Sequence, residues 1–421
     1  MRNNNMSSNK TDSFDKEYCE SLNRLYNDNI KLSEIRWFFN RAYDWAYETE
    51  SMSHDVVLLG TSIPEELVIA SGAEPYWIIG GSLGSCAWSD DLVPRDTDPV
   101  SRSVTGYINR PESAGLSDSL FIVPLINDSM RKIAYDLKSN GRKVCLIDVP
   151  PDRTDKYAVE KYADQLKAMC EAVSKQTKTR VTRRAVVSAM KTVSNARSTM
   201  RRFIEISRGH KDIITDAARS FVINAYYMTS SPEEWQYHTE CLISEIEYYS
   251  GISKESAQNA PAVMLLGSPI LFPNYKIPFL VSDSGLMISE TVDYLSIKSF
   301  VTYRKNALWG SSNRLLRNIA STWLKYDASP AFVKNDVLFD YVSWFVRSKK
   351  IEGVIYHVLK GQIEYDFELE RFETMLAQHG IPLFRLETDY QYQDVEQLRI
   401  RMEAFSEMLT QKRYREVKKA S

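Results

Sequence analysis

Two blocks of short, β-rich apolar runs alternate with helix-length amphipathic segments, and this alternation leaves few folds open to the chain. In the first block "DVVLLG" reads as a strand, "SIPEELVIASG" as a helix stopped by Gly72, and "EPYWIIGG" as a second strand. A helix over Val100–Ile108, the strand "SLFIVPL", the amphipathic helix "DSMRKIAYDLKSNG" closed by Gly141, and the strand "KVCLIDVP" complete it. The second block starts at "AVMLLGSPI" and runs through "KIPFLVSDSGLMISE", a helix near Tyr341–Ser348, "GVIYHVLK", "DFELERFETMLAQHG", "IPLFRLETD" and a final helix from Asp394 to about Gln411. Strands separated by helices pair in parallel, with right-handed crossovers. The expected class is α/β, with two parallel-sheet domains.

Between the blocks the period changes to helix alone, as in "KYAVEKYADQLKAMCEAV" and "TRRAVVSAMKTVSNARSTMRRFIEIS". The aromatic-rich segment "IRWFFNRAYDWAYE" puts an amphipathic helical cap ahead of the first block. The expected division is a polar amino terminus and helical cap at 1–50, a first α/β domain at 51–152, a helical connecting segment at 153–258, and a second α/β domain with a carboxyl-terminal helix at 259–421.

Composition narrows the function classes. A net charge of -2 argues against a global field for nucleic acid or a membrane surface. No run approaches the ~18 apolar residues of a membrane span; the longest uncharged run, Ser256–Tyr275, carries three prolines and reads as strand plus loop. The start, "MRNNNMSSNKTD", has no apolar signal core, so a cytoplasmic location is expected. The five cysteines, Cys19, Cys86, Cys145, Cys170 and Cys241, form no C-x-x-C pair and suit neither zinc nor a disulfide framework. Cys145 and Cys170 sit at core spacing and read as buried thiols, and His357 inside its strand reads as a satisfied core histidine.

Several motifs invite chemistry and have a structural alternative. Ser62 and Glu65 in "SIPEEL" have capping-box spacing, while Glu65 and Glu66 at a strand's carboxyl end would also suit acid–base work. "GGSLGS" offers a glycine-rich turn without a complete phosphate-binding motif. Nine Lys or Arg and no acidic residue lie between Lys175 and Arg202, beside an apolar stripe that would leave the cations on a solvated helix face. Lys360, Gly361 and Gln362 form the turn after the strand "GVIYHVL", where ligands of α/β proteins usually bind.

"IPEELVIASGAEPYWIIGG" and "HGIPLFRLETDYQYQDVEQLRIRMEAFSEML" resemble the opening and carboxyl-terminal blocks of the 2-hydroxyacyl-CoA dehydratase and benzoyl-CoA reductase family (D-component type), with "FIVPLINDSMRKI", "AVMLLGSPI" and "EGVIYHVLK" between them in the family's order. The resemblance covers roughly residues 50–411. It implies two flavodoxin- or Rossmann-like domains, a heterodimer, a [4Fe-4S] cluster held by three cysteines between the domains, and a separate ATP-dependent iron–sulfur activator that delivers one electron for acyl-CoA chemistry. Aligned on the family's pattern, Asp98, Asn127 and Asp293 stand where cluster-bearing relatives have cysteine, and Gln362 lies near a further cysteine of some relatives.

Thiolates are the soft ligands of iron–sulfur clusters, whereas these are hard oxygen and amide groups. The expectation is a cluster-free subunit, with no cofactor or metal of its own, paired with a paralogous subunit that carries the cluster. An oxygen-liganded divalent metal at Asp98, Asn127 and Asp293 is the variant reading, and a non-catalytic scaffold that kept the fold is the alternative. Candidate substrate-facing residues are Ser62, Glu65, Asp128, Lys360 and Gln362.

Overall fold

The structure, a computed structural model, describes residues 2–47, 53–252, 260–329 and 331–420. The domain boundaries expected at 50 and 258, and the first residues of the Ser256–Tyr275 run, lie outside the described residues. Two four-stranded parallel sheets form the framework. The first comprises β1 (Val56–Leu59), β2 (Pro75–Ile78), β3 (Leu120–Pro124) and β4 (Lys143–Ile147), in the order β2-β1-β3-β4. The second comprises β5 (Ala262–Gly267), β6 (Met287–Val292), β7 (Gly353–Leu359) and β8 (Leu383–Thr388), in the order β6-β5-β7-β8. Both sheets thus have one topology, and the expected α/β class with two Rossmann-like sheets is met.

The unbroken apolar runs are explained by burial on both faces. Every residue of β1, β2, β3, β5 and β7 is buried, as parallel strands covered by helices on each side require. In each sheet the strand order reverses beside the first strand. The crevices open at the carboxyl ends of β1 and β3 and of β5 and β7.

Two helices, Arg2–Asp28 and Ile35–Tyr47, precede the first sheet. They touch both halves of the molecule. Trp45 donates its indole N–H to the Trp77 carbonyl at 3.1 Å, while Ser21 bonds the Pro273 carbonyl at 2.8 Å and Arg24 pairs with Asp283 at 2.8 Å. The helical stretch between the sheets includes Ala158–Thr177, Arg183–Arg208, Asp216–Ala225 and Pro232–Ile252.

Three local readings need correction. Ser62 and Glu65 do not form a capping box: the short helix Glu65–Ile69 starts after Pro64 with no side-chain cap. Ser62 instead bonds the buried Asp327 carboxylate, and Glu65 faces inward to cations. The cations of the basic helix are not all solvated, since Arg197 is 1% exposed although its stripe partners Met190, Val193, Ala196 and Met200 are buried as expected. The last helix runs on to Ala420 rather than stopping near Gln411. A further helix, Ser312–Tyr326, packs through Leu315, Ile319 and Trp323.

The loop after β2 fixes how the second sheet's first loop approaches. Gly81 has φ +112°, and a Cβ there would lie 2.2 Å from the Phe272 carbonyl oxygen. Backbone blocks it on one side and strain on the other. Gly81→Ala should therefore destabilise the protein by about 3 kcal/mol, read from urea unfolding midpoints. An unchanged midpoint would mean the two loops separate without cost.

Candidate functional site

The carboxyl ends of β3 and β7 meet. Gly361, φ +84°, passes close to the Asp98 backbone, and Gln362 behind it reaches the Asp98 carboxylate through its Nε2 at 3.5 Å. The Gln362 Oε1 accepts a hydrogen bond from Ser268 at 2.7 Å, and the same Ser268 hydroxyl oxygen accepts the Leu359 N–H at 2.9 Å. From the other side, the Asn127 amide approaches the Glu364 carboxylate at 3.5 Å. Asp98, Gln362 and Ser268 are all buried.

Asp98, Asn127 and Asp293 share one local role: each begins a helix. Asp98 accepts the Ser101 N–H at 3.0 Å at the start of Pro99–Asn109. Asn127 accepts the Met130 N–H at 2.9 Å at the start of Asp128–Ser139. Asp293 closes a capping box with Ser296, taking the Leu295 and Ser296 N–H groups at 3.1 and 2.8 Å. Burial pushes the Asp293 and Glu364 carboxyls up, against the hydrogen bonds each accepts. Burial also raises the Tyr294 phenol, which feels Asp293, Asp98 and Glu364 and so sets this helix start beside the same crevice.

Of the candidates from sequence, the structure joins Asp98, Asn127 and Gln362 in one region. Asp128 is exposed beside them and acts on Glu364 by charge alone. Lys360 is exposed and paired with Asp389 at 3.0 Å. Ser62, bonded to Asp327, and Glu65, in a buried charge cluster, both lie apart from them. His357 is satisfied by the Ser268 carbonyl at 3.2 Å and Thr388 at 2.8 Å, and burial lowers it to about 4, so it is neutral at pH 7. Glu364 and Ser268 were not singled out from sequence; the first stands two residues beyond Gln362 in an acidic stretch.

The glycine-rich turn is filled by the protein's own anion. Glu17, from the first helix, accepts the Leu83 and Gly84 N–H groups at 3.0 and 2.9 Å and the Ser82 hydroxyl at 2.7 Å. The backbone donors a phosphate would need are already bonded.

The crevice donors do not suit an iron–sulfur cubane. They are oxygens and amides committed to helix caps and to each other; of the five free cysteines only Cys86 comes near, with its Sγ 3.8 Å from the carbonyl of Pro99, the residue after Asp98. Cys86 lies against Leu359 and Tyr390, with its thiol raised to about 12 by burial, and directs its Sγ at the Ser82 carbonyl. Among the described residues no three His, Cys, Asp or Glu side chains are grouped so as to hold a metal ion.

The second network is a cluster of four buried charges. Glu65 pairs with Arg197 and Lys298, each at 3.0 Å, and accepts the Tyr226 hydroxyl at 2.9 Å. Glu66 lies 3.6 Å from Arg197 and accepts the Trp323 indole N–H at 3.1 Å as well as the Tyr303 hydroxyl. Burial works to raise Glu65, but Lys298 and Arg197 outweigh it and hold the carboxyl at about 2; burial prevails at Glu66 and raises it. Burial also lowers Lys298, to about 8. Only the pairing of Glu65 and Glu66 was visible in the sequence.

The family described as "2-hydroxyglutaryl-CoA dehydratase, D-component" has a model that matches residues 61–409. The (R)-phenyllactyl-CoA dehydratase beta subunit of Clostridium sporogenes is 20% identical over 352 residues, spanning 82% of this chain and 89% of the relative. The (R)-2-hydroxyglutaryl-CoA dehydratase subunit beta of Acidaminococcus fermentans is 23% identical over 362 residues, spanning 82% and 90%.

Two outcomes are expected at the charge cluster. Lys298→Met should cost about 3–5 kcal/mol, because it strands a buried carboxylate, and adding Glu65→Gln should recover part of that loss in chemical denaturation. The acid limb gives the second. Glu65 is depressed from 4.5 to about 2, so its stabilisation is complete above pH 4.5 and is lost as pH falls toward 2. Over that interval the wild type should lose more stability than Glu65→Gln; parallel curves would remove Glu65 from the account.

Proposed function

The chain belongs to the 2-hydroxyglutaryl-CoA dehydratase D-component family, and on that premise we propose that it is the cluster-free subunit of a 2-hydroxyacyl-CoA dehydratase or benzoyl-CoA reductase type enzyme. Its partner is a paralogous subunit that carries a [4Fe-4S] cluster, served by a separate ATP-dependent iron–sulfur activator. The observation that carries the reading is the use of Asp98, Asn127 and Asp293 as helix caps at the crevice, with Gln362 bonded across it. Hard ligands already satisfied by backbone N–H groups are poor holders of soft iron.

The chemistry gives the partner its role. Dehydrating a 2-hydroxyacyl-CoA loses the 2-hydroxyl as hydroxide and a β-proton that is not acidic; an electron added to the thioester expels the hydroxide, makes that proton acidic in the radical that remains, and is given back once the double bond has formed. That electron needs a redox centre, and the centre is assigned to the partner. This chain's contribution is to shape the acyl-CoA channel and dock the activator. No described helix is long and apolar enough to cross a membrane, which fits an assembly that works in solution.

The test has two arms. Anaerobic incubation of the purified chain with iron and sulfide should give no cluster absorption, while co-expression with a family member that has its cysteines intact should yield a stoichiometric, cluster-containing complex. A stoichiometric cubane in the chain alone overturns the reading. Failure of the chain to join such a partner, with no affinity for acyl-CoA, favours the scaffold alternative instead.

A further inference from the structure

The amino-terminal end of the second sheet, opposite the crevice, holds a cavity of about 320 Å³. Ligand sites begin at roughly this size. Four cations line it, Lys349, Lys350, Lys412 and Arg413, against a single carboxylate, Glu352. Glu352 is already taken: Arg413 grips it at 2.8 and 2.7 Å, and the Ala262 N–H donates to it at 2.8 Å. That pair fixes the last helix to the start of β7 and leaves three lysines in the lining in excess of its carboxylate.

These lysines come from two elements. Lys349 and Lys350 follow the helix Asp336–Ser348; Lys349 acts by charge on Glu290 and Lys350 on Glu352, which Arg413 already grips. Lys412, on the helix Val395–Ala420, gives one N–H to the Gly380 carbonyl at 2.5 Å and keeps two more donors. His379 adds a ring held through Nδ1 to the Met375 carbonyl at 2.9 Å. Three positive charges around one cavity repel each other, and among the described residues Glu352 is the one carboxylate in its lining. Ile351, Ile381 and Leu409 form an aliphatic wall between the cations.

We propose that this cavity binds a small molecule carrying two or more adjacent phosphates, with Lys349, Lys350 and Lys412 neutralising the phosphates and the aliphatic wall receiving the remainder. The site is separate from the crevice and does not depend on the cluster-free reading. A diphosphate matches the charge, because one phosphate alone leaves part of the lysine excess unmet. The position, at the amino ends of β7 and β8, suits an effector rather than a reacting substrate.

Titration calorimetry on the full chain tests this with inorganic pyrophosphate, orthophosphate and ADP at low salt. Pyrophosphate should bind saturably and at least tenfold more tightly than orthophosphate, with ADP at least as tight as pyrophosphate. Lys349→Gln with Lys350→Gln, and separately Lys412→Gln, should each weaken pyrophosphate about tenfold while leaving the melting temperature in place. Lys132→Gln with Lys138→Gln, on an exposed face of the first half, should leave affinity unchanged. Absent saturation, equal affinity for orthophosphate, exclusion of ADP, or an equal loss in the control pair would each overturn the proposal.

Discussion

Four buried charges hold the two halves of this molecule in one register. Glu65 and Glu66 come from the start of the short helix that follows β1, Arg197 from the central helix, and Lys298 from the turn that follows β6. Removing such groups from water is costly, and the cost is offset only when all partners are present with good geometry. Here Tyr226, Tyr303 and Trp323 donate to the carboxylates, and Lys298 sits among the rings of Trp77, Tyr227, Trp323 and Tyr226 at 4.4 to 5.7 Å. A sliding of one sheet past the other would strand at least one ion, so the cluster tolerates essentially one arrangement. That arrangement decides which residues meet at the crevice, where Gln362 faces Asp98 and Asn127 faces Glu364.

The crevice residues carry a second lesson about how a fold outlasts a site. Each of Asp98, Asn127 and Asp293 satisfies first-turn N–H groups that would otherwise be orphaned, a contribution of about 0.5–2 kcal/mol per cap. Thiols are weak acceptors and do this poorly. On the reading proposed for this chain, exchanging a cluster ligand for Asp or Asn at a helix start therefore compensates in stability for what is lost in chemistry. The Ser268–Gln362–Asp98 chain then links the two halves across the same space by hydrogen bonds.

Much of this was legible because it is local. Strand runs, the Gly72 and Gly141 stops and the apolar stripe from Met190 to Met200 all follow from spacing within one element. Ser62 and Glu65 had the right separation for a capping box and did not form one, because partners far along the chain, Asp327 for one and Arg197 with Lys298 for the other, bind them more strongly. Arg197 was placed with the solvated cations for the same reason: nothing within its helix announces two buried glutamates 132 and 131 positions away. At the crevice, Asp98, Asn127 and Gln362 were found through resemblance, whereas Glu364 and Ser268 enter only through distance.

The two ends of the second sheet differ in a way that no single stretch of sequence displays. Its carboxyl end, where α/β proteins usually take their ligands, is filled with side chains that bond one another, and buried carboxyls there are pushed toward their neutral forms. The glycine turn nearby is likewise occupied, by Glu17 from the first helix. Its amino end is open and cationic, with the one available carboxylate held by Arg413. Electrostatic attraction for an anionic small molecule is therefore concentrated away from the family's crevice. On the two readings proposed for this chain, an acyl-CoA would be met at one end of this sheet and a phosphorylated small molecule at the other, with the β7 strand running between them.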